Sequence, residues 1–247
     1  MFHTGLVSIS FRENSPEEIM KACVAAGLRY VEWGSDVHAP CNNSEKLKNI
    51  LQLQAQYGIS CCSYGTYFRL GVTPVEELPQ YFEAAKVLGT NIVRIWVSDQ
   101  HPWVLTQEQK DALFADARRA AKMAEEAGII LCMECHDWTY TETKESALEL
   151  MRAANSPAFK MYWQPNQYET IEENLAYASL LKDYIVHIHV FQWKGRDMFP
   201  LEDGVQEWQD YLKEIPGDHF TLLEHMPDHK IETLEREAKT LFKILDM

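Results

Sequence analysis

Nowhere in the 247-residue sequence do about 18 apolar residues run together, so no stretch reads as a membrane-spanning helix. The opening segment MFHTGLVSIS lacks a basic patch followed by an apolar run and predicts no secretory signal. Positive charge is scarce: 23 Lys and Arg against 37 Asp and Glu give a formal net charge of −14. That balance argues against a duplex-DNA binder, whose phosphate contacts need clustered basic side chains. The six cysteines (Cys23, Cys41, Cys61, Cys62, Cys132 and Cys135) show no framework spacing and are expected as free thiols in a reducing cytoplasm. Cys132 and Cys135 read as C-x-x-C, but on a strand their sulfurs face opposite ways, which excludes joint chelation. No Pro/Gly/Ser-rich linker divides the chain, so residues 1–247 are expected to form a single domain. With 46% hydrophobic and 11% aromatic residues, a chain of this length can build one large core without disulfides. A soluble, cytoplasmic protein is expected.

What is present is a repeated phrase: amphipathic helix, glycine, then a short β-branched or aromatic run. Gly27, Gly58, Gly89 and Gly128 each precede such a run and read as helix C-caps. Ser15 with Glu18, Thr73 with Glu76, Thr106 with Gln109 and Thr170 with Glu173 read as capping boxes at helix starts. Strands are expected near 4–9, 29–33, 59–64, 91–97, 129–136, 159–164, 185–191 and 219–225. Eight strand-plus-helix units of this size predict an α/β fold, a single (β/α)8 TIM barrel. The rival, a doubly wound open sheet, lacks a G-x-G-x-x-G after its first strand.

In such a barrel the chemistry sits at the C-terminal strand ends, on the parity that faces inward. That parity groups Glu134 with His136, His187 with His189, Arg94 with Trp96, and places Glu224 at the end of the last strand. Carboxylates beside a neutral imidazole suit a divalent cation such as Mn²⁺, Zn²⁺ or Mg²⁺. Glu134, His189 and Glu224 are the ligand candidates. The competing account is a buried salt bridge from these glutamates to Arg94 or Lys194. Trp96, Trp138, Trp163 and Trp193 fall at strand ends, where they either wall a ligand pocket or pack in the core.

Met133-Glu134-Cys135-His136, His187-Ile188-His189 and Leu223-Glu224-His225, with Tyr30-Val31-Glu32-Trp33 and His38-Ala39-Pro40, resemble the xylose-isomerase-like TIM barrel superfamily of sugar phosphate isomerases and epimerases. The resemblance implies a metal held by Glu134, Gln164, His189 and Glu224, with the two glutamates as a proton-shuttling acid/base pair. It implies a substrate-contacting arginine near Arg196. The family's Asp-x-x-His on strand six reads Gln164-Pro165-Asn166-Gln167 here. An amide oxygen at Gln164 can still ligate but removes one negative charge, and Gln167 replaces an imidazole that could meet substrate.

The expected activity is a divalent-metal-dependent isomerase or epimerase acting on a small sugar, sugar phosphate or sugar acid through an enediolate. Arg94, Lys194 and Arg196 would hold hydroxyl, carboxylate or phosphate groups, Trp96 would wall the pocket, and His136, His187 and Gln167 would contact or support the substrate. Two alternatives remain: a metal-dependent lyase or dehydratase using the same proton abstraction, and a non-catalytic sugar-binding barrel arising from the strand-six changes. An abasic-site endonuclease, the group's distant relative, is disfavoured by net charge and by too few histidines. The expected partner is a small carbohydrate, with no nucleic acid and no membrane. The group's enzymes are often oligomers, so a homo-oligomer is admitted, although no sequence feature marks an interface.

Overall fold

A computed structural model describes residues 1–246. Eight strands, β1 (Phe2–Val7), β2 (Tyr30–Gly34), β3 (Ser60–Leu70), β4 (Ile92–Val97), β5 (Ile130–Glu134), β6 (Phe159–Trp163), β7 (Ile185–Val190) and β8 (His219–Leu223), alternate with eight helices. The helices are α1 (Pro16–Ala25), α2 (Ser44–Tyr57), α3 (Leu78–Leu88), α4 (Gln107–Ala127), α5 (Lys144–Ala154), α6 (Ile171–Leu181), α7 (Val205–Glu214) and α8 (Leu234–Leu245). The strands close in sequence order, β1 pairing with both β2 and β8, all in parallel. This is the expected (β/α)8 barrel. No helix among the described residues is long and apolar enough to cross a membrane.

Local signals place the elements. Ser15 and Thr106 form reciprocal capping boxes with Glu18 and Gln109, satisfying amide groups that the first helical turn leaves free. Thr170 accepts from the Glu173 amide without the reciprocal bond. Thr73 departs from expectation: its hydroxyl accepts from Arg69 N–H, and a 3-10 turn at Val75–Glu77 leads into α3. The four glycines expected to end helices all have positive φ. On α4, Ala117, Ala120, Ala121 and Ala124 fall on one buried stripe, and their small side chains let the helix lie close to the sheet.

The large apolar core lies between barrel and helices. There Trp163, on the outward parity of β6, packs edge-on against Trp208 and Tyr211 of α7, its ring centroid 6.1 and 5.2 Å from theirs. Inside the barrel, Val7, Cys62 and Leu222 form one apolar group and Ile92, Cys132 and Tyr162 another. Cys132 thus points inward while Cys135 joins the outer core, the opposite facing expected of strand neighbours at odd spacing. Toward the C-terminal strand ends this filling changes from apolar to charged.

Candidate active site

Glu32 of β2, Arg94 of β4, Glu134 of β5, His189 of β7 and Glu224 just past β8 meet inside the barrel mouth, exposed by 0, 2, 3, 0 and 5%. Strand register brings them together: Arg94 lies beside Gly65 of β3 and Cys132 of β5, and His189 beside Leu222 of β8. Gly65 makes room for the cluster. A Cβ there would stand 2.5 Å from Glu32 Oε1 and 2.9 Å from Arg94 Nη2.

Arg94 spans two acids, with Nη1 3.0 Å from Glu134 Oε2 and Nη2 3.5 Å from Glu32 Oε1. Its Nη1 also donates to the Thr66 carbonyl at 3.0 Å. The indole N–H of Trp96 donates to the same Glu134 oxygen. Ser63 Oγ donates to Glu32 Oε2 at 2.7 Å. The remaining oxygens converge on His189. Around Nδ1 stand Gln164 Oε1 at 3.1 Å, Glu224 Oε2 at 3.3 Å and Glu134 Oε1 at 3.6 Å; Nε2 faces Glu32 Oε1 at 3.6 Å.

Charge and geometry both fit a divalent cation. Three buried carboxylates against Arg94 and a protonated His189 leave −3 + 2 = −1, and −2 once His189 gives up its proton to act as a ligand, in an almost fully buried region, a costly arrangement unless balanced. One imidazole nitrogen can donate a single hydrogen bond, yet oxygens from β5, the β6 loop and the β8 loop crowd Nδ1. One ligand atom from each of Glu134, His189 and Glu224 lies within 4.8 Å of the others, and oxygen with imidazole donors suit Zn²⁺, Mn²⁺ or Mg²⁺.

The protonation states follow from the same contacts. Burial opposes charge on each group and is overcome each time. Glu32 is lowered to about 2 by His189, Arg94 and Ser63. Glu134 is held below the ordinary carboxylate range by Arg94 and His189. His189, facing Glu224 and Glu32, is raised well above an ordinary histidine.

Above the cluster opens a cavity of about 210 Å³, floored by Arg94, Glu134 and Glu224. Trp96, His136, Gln164 and Gln167 also line it. His136 lies against the Trp96 ring, centroids 5.1 Å apart. Burial disfavours its charge, but Asp137 and Glu134 raise it to about 9. His189 forms the fully buried layer just beneath.

Three expected contacts fall elsewhere. His187 shares the inward parity of His189 but precedes it by two residues, about 6.6 Å deeper at strand rise. There it stacks on Tyr162 at 4.9 Å, and burial lowers it to about 4. Lys194 and Arg196 sit on a hairpin of Trp193–Lys194 and Asp197–Met198, which carries both side chains to the exposed surface. Lys194 pairs with Glu207 at 3.2 Å. Arg94 meets the cavity but spends its guanidinium on Glu32, Glu134 and Thr66, so the anticipated buried ion pair forms for Glu134 through Arg94, whereas Glu224 meets His189 and His225 instead. Among the tryptophans, Trp96 and Trp193 wall the cavity, Trp163 is core, and Trp138 is 66% exposed outside it.

Four lining residues carried no strong sequence signal, Ile9, Arg12, Tyr67 and Phe191, while His225 stood in the motif Leu223-Glu224-His225 without an assigned role. Arg12 follows a 3-10 turn and bonds Asp36 and Tyr67. His225 has a left-handed backbone (φ 56°) and places Nε2 3.7 Å from Glu224. Glu32 did carry one, an acid inside the strand-like run Tyr30-Val31-Glu32-Trp33.

No curated protein matches the sequence. Solved structures share the barrel. The probable 3-DHS dehydratase of petrobactin synthesis from Bacillus anthracis has a TM-score of 0.77 at 18% identity, covering 98% of this chain and 99% of that one. The IOLI protein, solved with a zinc atom, has a TM-score of 0.73 at 17% identity, covering 98% and 96%. D-Psicose 3-epimerase from Clostridium cellulolyticum H10, solved with D-tagatose, has a TM-score of 0.70 at 14% identity, covering 99% and 97%. At such identities the likeness establishes the fold alone. The sequence itself goes further: over residues 20–244 it matches the family described as xylose isomerase-like TIM barrel, and the chain belongs to that family.

Proposed function

We propose that the protein is a divalent-metal-dependent isomerase or epimerase of a small sugar, sugar phosphate or sugar acid. Three oxygens crowding one imidazole nitrogen beneath the floor of a small cavity carry this proposal. Glu134, Gln164, His189 and Glu224 would hold the cation. When bound, it would polarise a carbonyl and its neighbouring hydroxyl and so lower the cost of an enediolate.

The chain's own groups then divide the work. Glu134 and Glu224, both at the cavity floor, remove and return the proton on the carbon beside the carbonyl. Trp96 and Arg94 hold one oxygen of Glu134 in place, which fixes the carboxylate plane. Trp96, Tyr67, Phe191 and Trp193 offer aromatic faces to sugar C–H groups and exclude water.

A second activity draws on His136. Kept protonated at neutral pH against the cavity wall, it can give its proton to a departing hydroxyl, turning the same deprotonation into a dehydration. The dehydratase among the fold relatives accords with that chemistry.

The test is incubation of the Mn²⁺-, Zn²⁺- or Mg²⁺-loaded protein with a panel of ketoses and keto-acids in D₂O, followed by NMR. Deuterium beside the carbonyl of a rearranged sugar supports isomerisation or epimerisation, and loss of water supports dehydration. Glu134→Gln is expected to abolish turnover while leaving the fold intact. An undiminished rate in that variant refutes the assignment.

A further inference from the structure

We infer that Glu32 is a positioning residue for the metal centre: its carboxylate fixes the His189 ring so that Nδ1, and not Nε2, keeps the lone pair for the cation. This rests on the metal site proposed above but not on the sugar chemistry.

Glu32 is fully buried below the cavity and is not among its lining residues, so it does not touch a substrate. Its two oxygens have separate tasks. Oε2 is taken by the Ser63 hydroxyl at 2.7 Å, which sets the carboxylate's rotation. Oε1 is thereby turned toward Arg94 Nη2 at 3.5 Å and His189 Nε2 at 3.6 Å. His189 Nε2 has no hydrogen-bond partner within normal range, and Glu32 Oε1 is the carboxylate oxygen that faces it.

The two imidazole nitrogens therefore stand in different surroundings. Nε2 faces one acceptor belonging to a residue outside the ligand group. Nδ1 faces the three oxygens of Glu134, Gln164 and Glu224. A neutral imidazole carries one N–H, and a carboxylate on one side draws it there, leaving the other nitrogen as ligand. The opposite tautomer would aim a lone pair at a buried carboxylate and an N–H into the cation's place.

Glu32 also pairs with Arg94, so a simple deletion would confound metal binding with folding. Arg94→Met is therefore the reference background, and Arg94→Met/Glu32→Met is compared with it. Co²⁺ serves as the probe, its affinity taken from the visible d–d absorption under titration. Loss of the carboxylate is expected to weaken Co²⁺ binding 10- to 100-fold between the two variants. Glu32→Gln in the otherwise native chain, which retains an acceptor oxygen, is expected to lose less than tenfold. In the Zn²⁺-loaded native protein, ¹⁵N NMR of the His189 ring should show a protonated Nε2 and a metal-bound Nδ1.

Equal Co²⁺ affinity in the two Met variants, or a ring bound through Nε2, overturns the role of Glu32 while leaving the metal site standing. A native protein that takes up neither Co²⁺ nor Zn²⁺ overturns both. Cation binding with the expected Glu32 dependence but no exchange of any sugar proton upholds this inference and defeats only the isomerase proposal.

Discussion

Arg94 is the single fixed positive charge in the buried cluster, and replacing it by methionine tests the electrostatic account most severely. The methionine keeps most of the side-chain volume, so the perturbation is the loss of charge and donors. Two contacts go: 3.0 Å to Glu134 and 3.5 Å to Glu32, both with partners at most 3% exposed. Removing one member of a buried ion pair costs about 3–5 kcal/mol, because the partner charge stays behind unpaired. The Thr66 carbonyl also loses its donor, a further ~1 kcal/mol. Against a typical total stability of about 5–15 kcal/mol this is a large fraction. The assay is urea denaturation in the presence of chelator. Coupling sharpens it: in a Glu32→Gln background Arg94→Met should cost about 1–3 kcal/mol less, since one stranded acid has been neutralised. A loss under about 1 kcal/mol, or an identical loss in both backgrounds, would refute the reasoning that these charges are buried and mutually dependent.

Acid should destabilise the protein through Glu32. Its folded pKa of about 2 lies below the ordinary glutamate value of 4.5, so its contribution is present above 4.5 and is lost as pH falls toward 2. The difference corresponds to about 3 kcal/mol, measurable as the pH dependence of urea unfolding, and Glu32→Gln should flatten that slope. Gly65→Ala would press a methyl against Glu32 Oε1 and Arg94 Nη2. A loss of about 1–3 kcal/mol in chemical denaturation, with weakened cation binding, is expected. Saturating Zn²⁺ or Mn²⁺ should raise thermal stability by about 2.7 kcal/mol at a hundredfold excess over Kd, reversibly with chelator. That effect should grow with pH, because His189 must give up a proton to bind.

The barrel was legible because its grammar is local. Ser15 and Thr106 cap, Gly58 and Gly128 terminate, and each is decided by neighbours within a turn. Strand ends were less legible because partners set them. β1 begins at Phe2, two residues earlier than expected, since Phe2 pairs with His219 across more than two hundred residues. β3 runs on to Leu70 because its pairing with β4 shifts register between Gly65 and Arg69 and then resumes. Parity correctly turned Glu134, His189, Arg94 and Trp96 inward. It carries no depth, which is why His187 was grouped with the site although it lies a layer below. The loops carry no periodicity at all. Arg12 and His225 come to the cavity by tertiary folding, and Lys194 and Arg196 leave it on a hairpin that no strand pattern announced.

The central claim is that a divalent cation completes the buried cluster at the barrel mouth. Anomalous diffraction from crystals soaked in Zn²⁺, or in Mn²⁺, measures this directly. One peak per chain is predicted, bounded by Glu134, Gln164, His189 Nδ1 and Glu224. A map without that peak, in which His189 and Arg94 alone neutralise the three glutamates, would contradict it.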